Sequence, residues 1–296
     1  MVYSSGSVYD YLTLMKPRVM SLVIFTSFVG LILSPLAINP FLAFIAIICI
    51  AIGAGASGAL NMWFDADIDS IMKRTSNRPI PSGNISKSEA LTYGIIMAAG
   101  SVYVMGVLIN WFSAIFLAFT IFFYVFIYTI WLKRKTIQNI VIGGAAGAFP
   151  PVIGWISTEA SITLEPILLF LIIFLWTPPH FWALAIITSN EYEKANIPMM
   201  PNVMGNKVTI NRILIYSIIM SFTAISPYFI DMVSIIYLIP VSILSLTFVF
   251  LAAQLYVSKN DKSIKNYSKK LFIYSIYYLF MVFMIFLVDY TYSYYN

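Results

Sequence analysis

Residues 41–64 read FLAFIAIICIAIGAGASGALNMWF, and residues 65–69 continue DADID. The first stretch carries no charge and exceeds the roughly 20 apolar residues that an α-helix needs to cross the hydrocarbon core of a bilayer. The abrupt run of acids then marks where lipid ends and water begins. This reading sets the fold class, and the rest of the chain repeats it. Comparable apolar stretches lie near 18–38, 41–64, 89–109, 112–132, 137–157, 164–189, 208–229, 233–257 and 271–290. We therefore expect an all-α integral membrane protein of nine transmembrane helices, with residues 1–296 forming one membrane-embedded domain.

Composition agrees: 60% of the 296 residues are hydrophobic and only 10% are charged, against roughly 25% charge in a soluble domain. The net charge of +5, spread over so apolar a chain, cannot cover a nucleic-acid-binding face, so no nucleic-acid partner is expected. The single cysteine, Cys49, lies inside an apolar run, which excludes an internal disulfide and a cysteine-based zinc site. The N-terminal segment MVYSSGSVYDYLTLMKPRV shows neither a signal-peptide nor a transit-peptide pattern. Insertion through the mature helices, in a prokaryotic plasma membrane, is the expectation.

Orientation follows from charge, because Lys and Arg in short loops stay cytoplasmic. All 17 basic residues fall in one set of loops: Lys16 and Arg18; Lys73, Arg74, Arg78 and Lys87; Lys133 to Lys135; Lys194, Lys207 and Arg212; and Lys259 to Lys270. The opposite loops and tail carry Glu159, Glu165, Asp231 and Asp289 and no base. A missed or extra helix would scramble this segregation. The N-terminus is expected in the cytoplasm and the C-terminus outside.

Asn61, Asp65 and Asp69 are spaced by four, so one helix face stacks an amide and two carboxylates. Acids near a helix C-terminus oppose its dipole and one another, and a cation relieves both conflicts. Oxygen-only ligands suit Mg²⁺, which keeps waters and substrate phosphates in its shell. Arg74 and Arg78 follow directly, and Arg18, Lys133 and Arg134 belong to loops at the same mouth. Arginine matches phosphate oxygens in a bidentate manner, so the combination suggests a metal-bridged diphosphate. The plainer alternative is a solvated helix end with ordinary ion pairs. Glu191 and Glu193 lie on different faces beyond the sixth span, so at most one can join this mouth.

His180, the only histidine, lies within the sixth span beside Pro178 and Pro179; the fifth span contains Pro150 and Pro151. Prolines inside lipid-buried helices are tolerated where a cavity or neighbours satisfy the freed carbonyls. An ionisable group there is a functional candidate: a heme-facing group, a proton carrier or a polar orienter. A helix–helix hydrogen bond is the alternative.

These stretches, from LMKPRVMSLVIFTSFVG through GASGALNMWFDADIDSIMKRTSNRPIPSG, YTIWLKRKTIQNIVIGGAAGAFPPVIGW and LWTPPHFWALAI to EYEKANIPMMPNV, resemble the UbiA-type intramembrane prenyltransferases. LKRKTIQNIVIGG and TPPHFWALAI are similar to the branch that farnesylates heme b. The resemblance implies nine helices around a central cavity, with Mg²⁺ as cofactor and farnesyl diphosphate and heme b as substrates. It further implies a cell-membrane location and a link to heme-copper oxidase assembly. Asn61, Asp65 and Asp69 match its metal-diphosphate motif, with Asp65 and Asp69 as metal ligands. Arg74 and Arg78 match the basic continuation, Lys133 and Arg134 a second diphosphate contact, and His180 the heme-branch histidine. The chain departs at Glu191, where the branch often has Asp, and at Asn196, where Gly is usual; the second acidic motif of quinone-type relatives is missing. Two other readings stay open: prenyl transfer to a quinone precursor or other aromatic acceptor, and a non-catalytic heme-handling or transport protein.

Overall fold

The computed structural model describes residues 6–295, so the first residues of the N-terminal segment, read above as free of a leader pattern, lie outside the described residues. Within these bounds the chain is helical throughout. Helices α1 (Val8–Leu14) and α2 (Pro17–Ile32) meet at a 56° bend. They are followed by α3 (Pro40–Phe64), α4 (Ala66–Ile71), α5 (Lys87–Leu108) and α6 (Trp111–Phe122). Helix α6 runs on into a π-helical segment, Phe123–Leu132. Then come α7 (Asn139–Ala148), α8 (Pro150–Ile156), α9 (Leu164–Ile187), α10 (Ser189–Lys194) and α11 (Met200–Ile225), the last kinked at Gly205. Helices α12 (Ile235–Val257) and α13 (Asp261–Tyr295) complete the chain. Eight helical stretches are long and apolar enough to span a bilayer, and counting the bent α1–α2 pair makes nine.

Local chemistry sets these boundaries. Ser7 with Asp10 and Ser86 with Glu89 form reciprocal capping boxes at α1 and α5, satisfying backbone donors that have no intrahelical partner. Pro17 and Pro40 open α2 and α3, where a missing N–H costs nothing. The two proline doublets behave differently. Pro150 ends α7 and starts α8, whereas Pro178 and Pro179 stay inside α9. At the end that carries no base, buried Asp289 of α13 accepts from the backbone N–H of Ser234 at 3.0 and 3.1 Å and from its hydroxyl, fixing the start of α12 with a carboxylate where the helix dipole favours one.

The spans close into a ring in which α13 returns to α2. Helix α2 meets α8 at backbone distance: a Cβ on Gly30 would collide with the Pro151 carbonyl, and one on Gly154 with the Ser27 carbonyl. Small residues serve this role where lipid supplies no hydrophobic drive between helices. One core unites α9, α11, α12 and α13 around Trp182, Tyr237, Phe248 and Phe283, and a second unites α3, α5 and α6 around Ile50, Met105 and Leu117. Phe41, Phe222 and Leu246 lie exposed on the outer surface, as expected of lipid-facing positions.

Candidate active site

Helix α3 ends at Phe64, yet the i,i+4 ladder continues through the break: Asp65 N–H donates to Asn61 C=O at 2.9 Å and Asp69 N–H to Asp65 C=O at 2.8 Å. Asn61, Asp65 and Asp69 therefore remain stacked as their spacing predicts, and all three are buried. Asn61 Nδ2 donates to Asp65 Oδ2 at 2.8 Å. The same oxygen is paired with Lys133. Asp69 is paired with Arg78 at 2.7 Å. A third base, Lys16, donates from Nζ to Asn61 Oδ1 at 2.6 Å.

Arg134 forks onto Asp67 with two 2.8 Å bonds. It also donates to the Phe64 carbonyl at 3.2 Å and lies 4.7 Å from the centre of the Phe64 ring. The hydrogen bond from Arg134 holds the Asp67 carboxyl below the usual range, and the same bond raises the guanidinium. Arg134 reaches Asp65 Oδ1 only to 3.5 Å. Burial, reinforced by nearby Arg78 and Lys133, pulls the Lys16 ammonium down to about 7. Arg74 is exposed and lies near Tyr192 of α10; burial raises the Tyr192 hydroxyl and Arg74 pulls it back. Glu191 has a buried, unpartnered Oε2, whereas Glu193 is exposed.

The structure does not bring Arg18 to this cluster. Its side chain is exposed on α2 and has no described partner. Lys16 takes the place expected for Arg18, because its left-handed backbone (φ 53°) turns the chain at the α1–α2 bend and sends the preceding base inward. In the sequence Lys16 and Arg18 stand together as cytoplasmic bases around Pro17, and nothing there separates the two. Asn196 is also left-handed (φ 53°), which asparagine tolerates better than most residues. That geometry accommodates its departure from glycine.

Asp65 Oδ1 is buried and receives no hydrogen bond. Among the described residues no group of three acids, histidines or cysteines could enclose a metal. Both observations fit an ion held by Asp65 and Asp69 only when ligand oxygens and water fill the remaining positions, which is the usual Mg²⁺ arrangement with phosphates.

His180 lies elsewhere, on α9 against α13. Its ring stacks on Trp176 at 4.3 Å and on Phe272 at 4.8 Å, and Nδ1 is 2.6 Å from Ser275 Oγ. Ser275 donates its own proton to the Phe272 carbonyl at 2.6 Å. Its oxygen must then accept from His180, which assigns the proton to Nδ1 and leaves Nε2 with the lone pair. The helix–helix bond and an available nitrogen therefore coexist in one side chain.

The pattern of the UbiA prenyltransferase family matches residues 23–276. The chain is 57% identical over 285 residues to a protoheme IX farnesyltransferase of Bartonella bacilliformis, covering 96% of this chain and 92% of that protein. It is 54% identical over 273 residues to protoheme IX farnesyltransferase 2 of Mesorhizobium japonicum, covering 92% and 87%. Its fold is similar to that of a digeranylgeranylglyceryl phosphate synthase, with TM-score 0.78, 20% identity and coverage of 96% and 98%. A UbiA homolog from Archaeoglobus fulgidus bound to DMAPP and Mg²⁺ aligns with TM-score 0.69, 18% identity and coverage of 94% and 99%.

Proposed function

The chain belongs to the UbiA prenyltransferase family, and from that premise we propose that it is a protoheme IX farnesyltransferase, transferring the farnesyl group of farnesyl diphosphate to a vinyl group of heme b with addition of water. The acceptor follows from relatives of that name at 52–57% identity. The observation that carries the donor half is Asp65, wholly buried, one oxygen held by Asn61 and Lys133 and the other without a donor.

Asp65 and Asp69 are the residues to hold Mg²⁺. When bound, it neutralises charge on the departing diphosphate. Lys133, Arg78 and Lys16, now bonded to Asp65, Asp69 and Asn61, form a basic rim that can transfer to phosphate oxygens without leaving any carboxylate bare. The C1–O bond of farnesyl diphosphate breaks, its electron pair leaves with diphosphate, and an allylic cation remains. The heme vinyl group attacks C1 and the positive charge moves to the carbon beside the porphyrin ring. Water adds there and gives up a proton. Trp176 and Phe272 keep the His180 ring upright and Ser275 fixes its tautomer, so Nε2 serves either as an iron ligand or as the acceptor of that proton. Glu191 and Arg74 are further contacts in this reading, Arg74 meeting diphosphate or a carboxylate of the heme. This mouth faces the cytoplasm, with the C-terminus outside, and the product heme goes to heme-copper oxidase assembly.

Expressing the chain in a bacterium and extracting hemes from its membranes tests the reading. A farnesylated, hydrated heme is expected with the native chain and absent with Asp65→Asn. Heme b alone in both, with the protein folded in the membrane, would overturn it.

A further inference from the structure

Thr129 lies 68 positions beyond Asn61, in the middle of the π-helical segment, and is fully buried. Asn61 Nδ2 donates to Thr129 Oγ1 at 3.1 Å as well as to Asp65 Oδ2. The Thr129 hydroxyl proton is already committed to the Tyr124 carbonyl five residues back, at 2.9 Å, so its oxygen is an acceptor toward Asn61. With both amide protons engaged, Asn61 presents Oδ1 to Lys16. Every donor and acceptor direction in this chain of contacts is fixed by its neighbours, leaving the amide one orientation. Thr129 meets Asn61 while Lys133, four residues on, meets Asp65, so two i,i+4 pairs face each other.

We propose that Thr129 is a positioning residue of the diphosphate site: it orients Asn61, and through Asn61 it holds Asp65 with Oδ1 left without a hydrogen bond. The inference rests on the prenyl-diphosphate reading above. Thr129→Val keeps the shape and removes the acceptor, so one Asn61 proton is left buried and unpaired and the amide can rotate. An unsatisfied buried donor is costly, and part of that cost falls on ligand binding.

The test uses the full chain in lipid nanodiscs. Calorimetric titration with inorganic pyrophosphate in the presence of Mg²⁺ is expected to show affinity about tenfold weaker in Thr129→Val and within about twofold of native in Thr129→Ser. Steady-state assays should show KM for farnesyl diphosphate rising with the Val variant and KM for heme b unchanged. In an Asn61→Ala background the Thr129→Val change should add nothing, because coupled residues are non-additive. This arm reads the coupling even if Thr129→Val alone folds poorly, with Thr129→Ala as its substitute. Native pyrophosphate affinity in Thr129→Val, failure of Ser to restore it, equal shifts in both KM values, or additivity with Asn61→Ala would each overturn the inference. Should the native chain bind pyrophosphate with Mg²⁺ yet not prenylate heme b, the functional reading falls and this one stands.

Discussion

The mouth of α3 and the interior of α9 handle polar groups in opposite ways. At the mouth, buried Asp65 and Asp69 are each paired with a base. On the proposed reading such pairs are exchangeable, the bases passing to an incoming diphosphate and the acids to a metal. Around His180 the partners are aromatic faces and one serine; nothing there is exchangeable, and one nitrogen is simply kept available. On the proposed reading, a site that accepts and releases a highly charged group holds its charges in replaceable pairs, whereas a site that faces a reacting vinyl group fixes a tautomer.

Three substitutions break or sharpen this contrast. The largest effect is expected at the mouth. Asp69→Asn removes the partner of Arg78 and one of the two carboxylates proposed to hold Mg²⁺, and prenyl transfer should fall about 100- to 1,000-fold. Heme b retained by the purified protein should not change; loss of both together would mean that the two regions are not separate. Next comes Ser275→Ala, which frees the His180 tautomer while leaving its ring sandwiched. Groups that orient a histidine are typically worth 10- to 100-fold, and about tenfold is expected here in heme affinity or in turnover, with pyrophosphate binding untouched. Spectroscopic heme titration beside the turnover assay separates ligand from proton acceptor. The smallest effect belongs to Arg134→Lys. Its fork onto partly exposed Asp67 is lost, but such pairs contribute about 0–1 kcal/mol, so farnesyl diphosphate KM should rise less than about fivefold. A drop as deep as that of Asp69→Asn would place Arg134 among the groups that meet diphosphate.

The spans were legible because lipid leaves helices little choice, and length and charge alone mark their ends. Asn61, Asp65 and Asp69 were legible from spacing, and the spacing survives the end of α3 because the backbone ladder does. Lys16 and Arg18 could not be told apart, since each flanks Pro17 and only the left-handed turn at Lys16, imposed by packing against α3, decides which faces inward. Thr129 was silent: a threonine in FYVFIYTIWL reads as one more residue of an ordinary apolar helix. The proline doublets looked alike in sequence and diverged in structure, because Pro150 coincides with a close approach of α8 to α2 while Pro178 and Pro179 sit within a helix clamped by α11 and α13.

The segment 123–132 carries a consequence for how this chain tolerates changes of length. A lipid-facing stretch ordinarily absorbs a one-residue insertion or deletion by shifting its exposed side chains, which lipid does not distinguish. Here the wide helix fits its residues between α6 and the loop at Lys133. One residue more or fewer, with the winding kept, would turn the chain beyond it by on the order of 100°, the rotation per residue of a helix. Lys133 and Arg134 would then swing away from Asp65 and Asp67. The length of this apolar stretch is thus constrained as tightly as the identity of the charged residues it delivers, although no charged residue lies within it.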